Sequence, residues 1–132
     1  MMIMIKEYKV IVKKVNKNNN VQTLTYDKIK NVISDNGRLS GLSDSIRIDG
    51  TRILGLVDDI SFSEPYNVLV MHNGKVVNSL NGNVIFIALN ERGDYESLTP
   101  KEIKLINTLI FNGSYCTFTE KGKDYTTNFI AI

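Results

Sequence analysis

Asn83-Val84-Ile85-Phe86-Ile87-Ala88-Leu89-Asn90-Glu91-Arg92-Gly93-Asp94-Tyr95-Glu96-Ser97-Leu98-Thr99-Pro100-Lys101-Glu102 is the stretch from which the fold is read. The run Val84 to Leu89 has no polar break, so both faces of that strand are covered and it sits centrally in a sheet. Asn90 to Asp94 is a polar turn. A helix then opens at Thr99. Its hydroxyl is placed to accept from the Glu102 N–H, and the Glu102 carboxylate to accept from the Thr99 N–H. Pro100 stands where a missing N–H costs nothing. Ile103, Ile106, Leu109 and Ile110 share one helix face, and Asn112-Gly113 is the stop signal.

Working outward, Tyr66 to Met71 reads as a strand turned by His72-Asn73-Gly74-Lys75 into Val76-Val77, and Asn81-Gly82 makes the next turn. Tyr8 to Val15 and Val21 to Leu24 form a hairpin about an Asn-rich loop. Thr25 caps a helix with Tyr26, Ile29, Val32 and Ile33 on one face, Asp27 in its first turn, and Asn36-Gly37 at its end. Asp49-Gly50 is a two-residue hairpin signal between Ile46-Arg47-Ile48 and Thr51-Arg52-Ile53-Leu54, and Asp58 to Pro65 reads as a polar loop. A last hairpin runs from Ser114 to Thr119 and back from Asp124 to Ile132. The expectation is a single domain, 1–132, of α+β class. It has a mainly antiparallel sheet of about seven to nine strands, helices near 25–34 and 100–110, and a C-terminal β-hairpin.

Bulk properties narrow the function. With 42% hydrophobic and 23% charged residues, 132 residues bury a core without staples, and one cysteine excludes an internal disulfide framework. The apolar N-terminus meets Lys6 and Glu7 too soon for a leader or a membrane span, so a cytoplasmic protein with no membrane partner is expected. A net charge of +2, with 12 lysines spread among 14 acids, shows no basic stripe for a nucleic acid polymer.

The segments Asn67-Val68-Leu69-Val70-Met71-His72-Asn73-Gly74-Lys75, Leu80 to Leu89 and Gly93-Asp94-Tyr95-Glu96-Ser97-Leu98-Thr99 resemble a small family of unknown function. That family occurs in bacteriophages and conjugative elements of Gram-positive bacteria. Its members share a strand, a turn, Asp-aromatic-x-Ser-Leu-Thr and a capped helix. The resemblance spans roughly residues 67–110. It implies a mobile-element setting in the host cytoplasm, and hence interference with a host process: capture of a nucleotide signal of host defence, or blockade of a host protein. It supplies no site residues.

Chemistry-bearing residues are few. His72, the single histidine, falls in a tight turn, and Cys116 alternates on an apolar strand, so neither is expected to be catalytic and no catalytic residue is assigned. Asp58, Asp59 and Glu64 match no calcium loop; no metal and no cofactor are expected. The segment Gly37 to Gly55 is the best candidate site, because Arg38, Arg47 and Arg52 lie there among Ser43, Ser45, Thr51 and several glycines. Guanidinium forks fit phosphate bidentately, and hydroxyls and backbone N–H groups add donors. A two-residue Asp49-Gly50 turn would make Arg47 and Arg52 a cross-strand pair. Tyr66, Tyr95 or Phe62 would stack a base. The leading expectation is a non-enzymatic binder that sequesters a phosphate-bearing nucleotide, forming a homo-oligomer through edge strands. The alternative is an adaptor or inhibitor that binds a host protein through an edge strand or apolar patch, with no small ligand.

Overall fold

The computed structural model describes residues 5–34, 42–48, 50–58, 65–72, 75–111, 115–120 and 123–131, the side chains of 42–46, 72, 77, 111, 115–120 and 123–131 excepted. In chain order these form β1 (Glu7–Lys13), β2 (Asn20–Thr25), α1 (Tyr26–Ser34), β3 (Leu42–Arg47), β4 (Ile53–Asp58), β5 (Tyr66–His72) and β6 (Lys75–Asn81). Then follow β7 (Val84–Leu89), β8 (Tyr95–Glu96), α2 (Pro100–Ile106), a π-helical turn (Asn107–Phe111), β9 (Tyr115–Glu120) and β10 (Lys123–Ala131). The class is α+β, and every strand pair among the described residues is antiparallel.

The strands divide into two sheets where the sequence suggested one. The first has the order β2-β1-β7-β4-β3, with β8 also paired to β7; the second is β6-β5-β10-β9. β7 is central, as its unbroken apolar run required, and its residues serve two cores in alternation. Val84, Phe86 and Ala88 join Ile11, Ile53 and Val57 against Val68, Val70 and Leu80 of the second sheet and Ile106, Leu109 and Ile110 after Thr99. Ile85 and Ile87 join Val10, Val12, Leu54 and Leu56 against Ile29 and Ile33 of α1. The first sheet is therefore the middle of three layers.

Both helix starts follow the sequence. Thr25 Oγ1 accepts from Lys28 N at 3.3 Å. At α2 the reciprocal box is complete, with Glu102 N donating to Thr99 Oγ1 at 3.2 Å and Thr99 N to Glu102 Oε1 at 2.9 Å. The second helix departs from a uniform run to residue 110: α-geometry gives way to a π turn at Asn107, where Asn19 Nδ2 donates to Asn107 Oδ1 at 3.1 Å. The stop signals Asn36-Gly37 and Asn112-Gly113 lie outside the described residues.

Polar residues lock the layers. Asn67 is fully buried, and its Nδ2 donates to the carbonyls of Lys13 (2.7 Å) and Gly82 (2.8 Å). Its Oδ1 accepts from Lys13 Nζ at 2.7 Å. Lys13 is 2% exposed, and desolvation holds its ammonium below the ordinary lysine pKa. Gly82 takes φ 72°, which suits glycine, and its N–H donates to Pro65 O at 2.8 Å. Asp58, expected in a polar loop, instead ends β4 and is buried.

Candidate functional site

The turn between β3 and β4 is longer than two residues. Thr51 N donates to Ile48 O, and Ile48 N to Ile53 O, both at 3.1 Å, so the ladder closes at the Ile48–Ile53 pair rather than at Ile48 and Thr51. Thr51 tightens the turn, since its hydroxyl donates to Ile48 O at 2.6 Å and accepts from Ile53 N at 3.1 Å. The register sets Arg47 opposite Leu54, which corrects the expected Arg47–Arg52 cross-strand pair. Arg47 is exposed on the ribbon. Ser43 pairs with Val57 in β3, and Ser45 falls at the register shift between Asp44 and Ile46; both side chains lie outside the described residues. So do Arg38, Asp59, Phe62 and Glu64, and the side chains of His72 and Cys116.

Arg52 is turned toward the start of α2. Its Nε and Nη2 donate to Glu102 Oε2 and Oε1 at 3.2 and 2.8 Å, and its Nη1 donates to Glu96 Oε2. Glu96 Oε1 accepts from Asn90 Nδ2 at 3.0 Å. The Arg52 carbonyl accepts from Leu89 N at 2.7 Å, which brings the loop beside β7. The electrostatics agree with this geometry. Hydrogen bonds to Glu102 and Glu96 raise the Arg52 pKa. The Asn90 amide and then Arg52 lower that of Glu96. Burial pushes Glu102 up, but Arg52 and the Thr99 N–H outweigh it and hold the carboxyl below its ordinary range. One guanidinium between two carboxylates has no excess positive charge for a phosphate. Arg52 clamps three segments together.

A different feature of the surface stands out: the edge formed by β2, on which no further strand is paired among the described residues. Lys9 of β1 uses both backbone groups on the side away from β2, its N–H donating to Ser97 Oγ and its carbonyl accepting from Leu98 N, each at 2.9 Å. Lys9 faces Thr23 in the ladder, so Thr23 turns its own N–H and C=O outward, as does Val21, the partner of Ile11. Val21 is 44% exposed, and Asn20 and Thr23 are exposed too. Other edges carry interruptions that discourage pairing. β3 contains Asp44, Arg47 and a register shift; β6 starts at Lys75 and has two shifts against β5; β9 ends in Glu120. β2, Asn-Val-Gln-Thr-Leu-Thr, has no charge, no proline and six pairs in continuous register.

Tyr26, 44% exposed, continues directly from this edge and stacks on Tyr95 with centroids 6.3 Å apart. Lys30 lies over the Tyr26 ring at 5.0 Å and Lys6 over Tyr8 at 5.2 Å. Tyr66, at the start of β5, is exposed.

Among the described residues, fold and edge together define a three-layered α+β protein in which β2 is an uncharged edge strand in continuous register. No protein-family model, curated protein or solved structure matches the chain. Among the described residues, no helix is long and apolar enough to cross a membrane.

Proposed function

We propose that this chain is a non-enzymatic binding protein that takes up an extended segment of another protein along β2. The observation that carries this reading is the uninterrupted, uncharged β2 edge, with the backbone groups of Val21 and Thr23 directed outward. A strand laid there gains main-chain hydrogen bonds, and Val21, Thr23 and Tyr26 give it side chains to read. Capture of a nucleotide by the arginine ribbon fits less well, because Glu102 and Glu96 hold the Arg52 fork. The resemblance to a phage and conjugative-element family makes a host protein the natural partner, blocked or bridged by the added strand.

The discriminating variant is Thr23→Pro. It deletes an outward N–H without touching the β1 ladder, a position at which an edge strand tolerates proline. Affinity capture from host lysate is expected to recover one stoichiometric protein with the wild-type chain and none with Thr23→Pro, while the circular dichroism spectrum is unchanged. Equal recovery by both would refute strand addition. A melting-temperature gain with a nucleotide, lost in Arg47→Gln, would return the function to the arginine ribbon.

A further inference from the structure

We infer that the segment received by β2 is acidic, an inference that rests on the strand-addition reading above. Between Ile5 and Ser34 the chain holds seven lysines against two carboxylates, whereas the rest holds nine cations against twelve carboxylates. The fold gathers that excess around one edge. Lys13 is buried in the inter-sheet network; the other six lysines are exposed or half-exposed. Lys9 stands opposite Thr23, Lys6 immediately precedes β1, and Lys14 and Lys17 lie at the turn joining β1 to β2, where Lys17 N donates to Lys14 O at 3.0 Å. Lys28 and Lys30 lie on α1, which continues directly from β2.

The acids nearby leave most of this charge unbalanced. Glu7 is opposite Thr25, Asp27 pairs with Lys30 at 3.5 Å, and Glu96 draws on Lys6. An extended chain lying along β2 runs past cations at both ends and on its flank. Carboxylates at alternate positions of that chain would meet them, raising its association rate and rejecting basic competitors.

Two other occupants are less well matched. A second copy of this chain would bring the same lysines face to face across a two-fold axis. A single-stranded nucleic acid would need free aromatic platforms and has no use for the outward amides of Val21 and Thr23. Here Tyr26 already stacks on Tyr95 under Lys30, and Tyr8 carries Lys6.

The test is selection of a random displayed-peptide library against the full-length chain, Thr23→Pro, and a double variant Lys9→Glu with Lys28→Glu. Each is first checked for a native circular dichroism spectrum, with Val21→Pro in reserve should Thr23→Pro misfold. The inference expects Asp- and Glu-rich, β-forming sequences with the wild-type chain. Synthetic copies should bind the double variant about tenfold or more weakly, lose affinity as sodium chloride is raised, and fail to bind Thr23→Pro.

Neutral or basic peptides that depend on Thr23 would overturn the acidic preference and leave strand addition standing. Acidic peptides indifferent to Thr23→Pro would overturn both. If no peptide enriches, the inference is overturned. Lysine-dependent retention of a thymidine oligonucleotide would then assign the edge to nucleic acid, and a dimer split by Thr23→Pro would assign it to a second copy.

Discussion

Arg52 shows how one side chain that reads as a ligand group in sequence becomes a structural one. Its guanidinium spans Glu102 in the α2 capping box and Glu96 in β8, and both carboxyls have pKa values lowered from 4.5. A carboxyl whose folded pKa is depressed stabilises the native state above its unfolded pKa and loses that contribution as pH falls through the folded value. Arg52→Gln is therefore expected to lower the melting temperature by a few degrees at neutral pH. The effect is small because Arg52 and Glu96 are 39% and 38% exposed and water screens the pair. The gap between variant and wild type should close as pH drops below the ordinary carboxylate range. A thermal melt series across that range checks it, and a gap that widens in acid would show the clamp is not ionic.

At the scale of elements, the join between sheets depends on Asn67. Its amide satisfies carbonyls from the end of β1 and from the turn after β6, and its oxygen accepts from Lys13 Nζ. Asn67→Ala removes three buried hydrogen bonds at once, and a buried polar group left unpaired costs more than the bond itself. The expected loss is about 3 kcal/mol, read as a lower urea midpoint. Asn67→Asp, which keeps the Lys13 partner but replaces two donors with an acceptor, is expected to be no better at neutral pH. Thr99→Ala tests the capping box alone and should cost about 1 kcal/mol. A larger loss there would mean that Glu102 needs Thr99 in order to hold Arg52.

At the scale of the whole molecule, what the sequence disclosed and what it hid have separate physical causes. The central strand, the Thr99 box and the strand pairs β1–β2, β5–β6 and β9–β10 were legible because each depends on neighbours within a few residues. The Asp49-Gly50 dipeptide gave the β3–β4 pairing but the wrong turn length, since Arg47 faces Leu54. The division into two sheets was not legible, because it rests on long-range pairings such as β10 with β5, Ile130 opposite Leu69. The Arg52 clamp was hidden for the same reason, as Glu96 and Glu102 lie 44 and 50 residues away. The basic edge is hidden in a net charge of +2, because acids elsewhere in the chain offset the lysines between Ile5 and Ser34. β7 makes the layers interdependent, with Phe86 in one core and Ile85 in the other, both fully buried. Truncating either to alanine removes a large side chain from a packed interior, at about 2–5 kcal/mol each. Because the two residues are adjacent on one strand, neither core can be lost alone. Ile85→Ala and Phe86→Ala are each expected to shift a single unfolding transition, with far-ultraviolet circular dichroism and the summed tyrosine fluorescence, to which both sheets contribute, moving together. Two transitions in Phe86→Ala would mean that one sheet persists without the other.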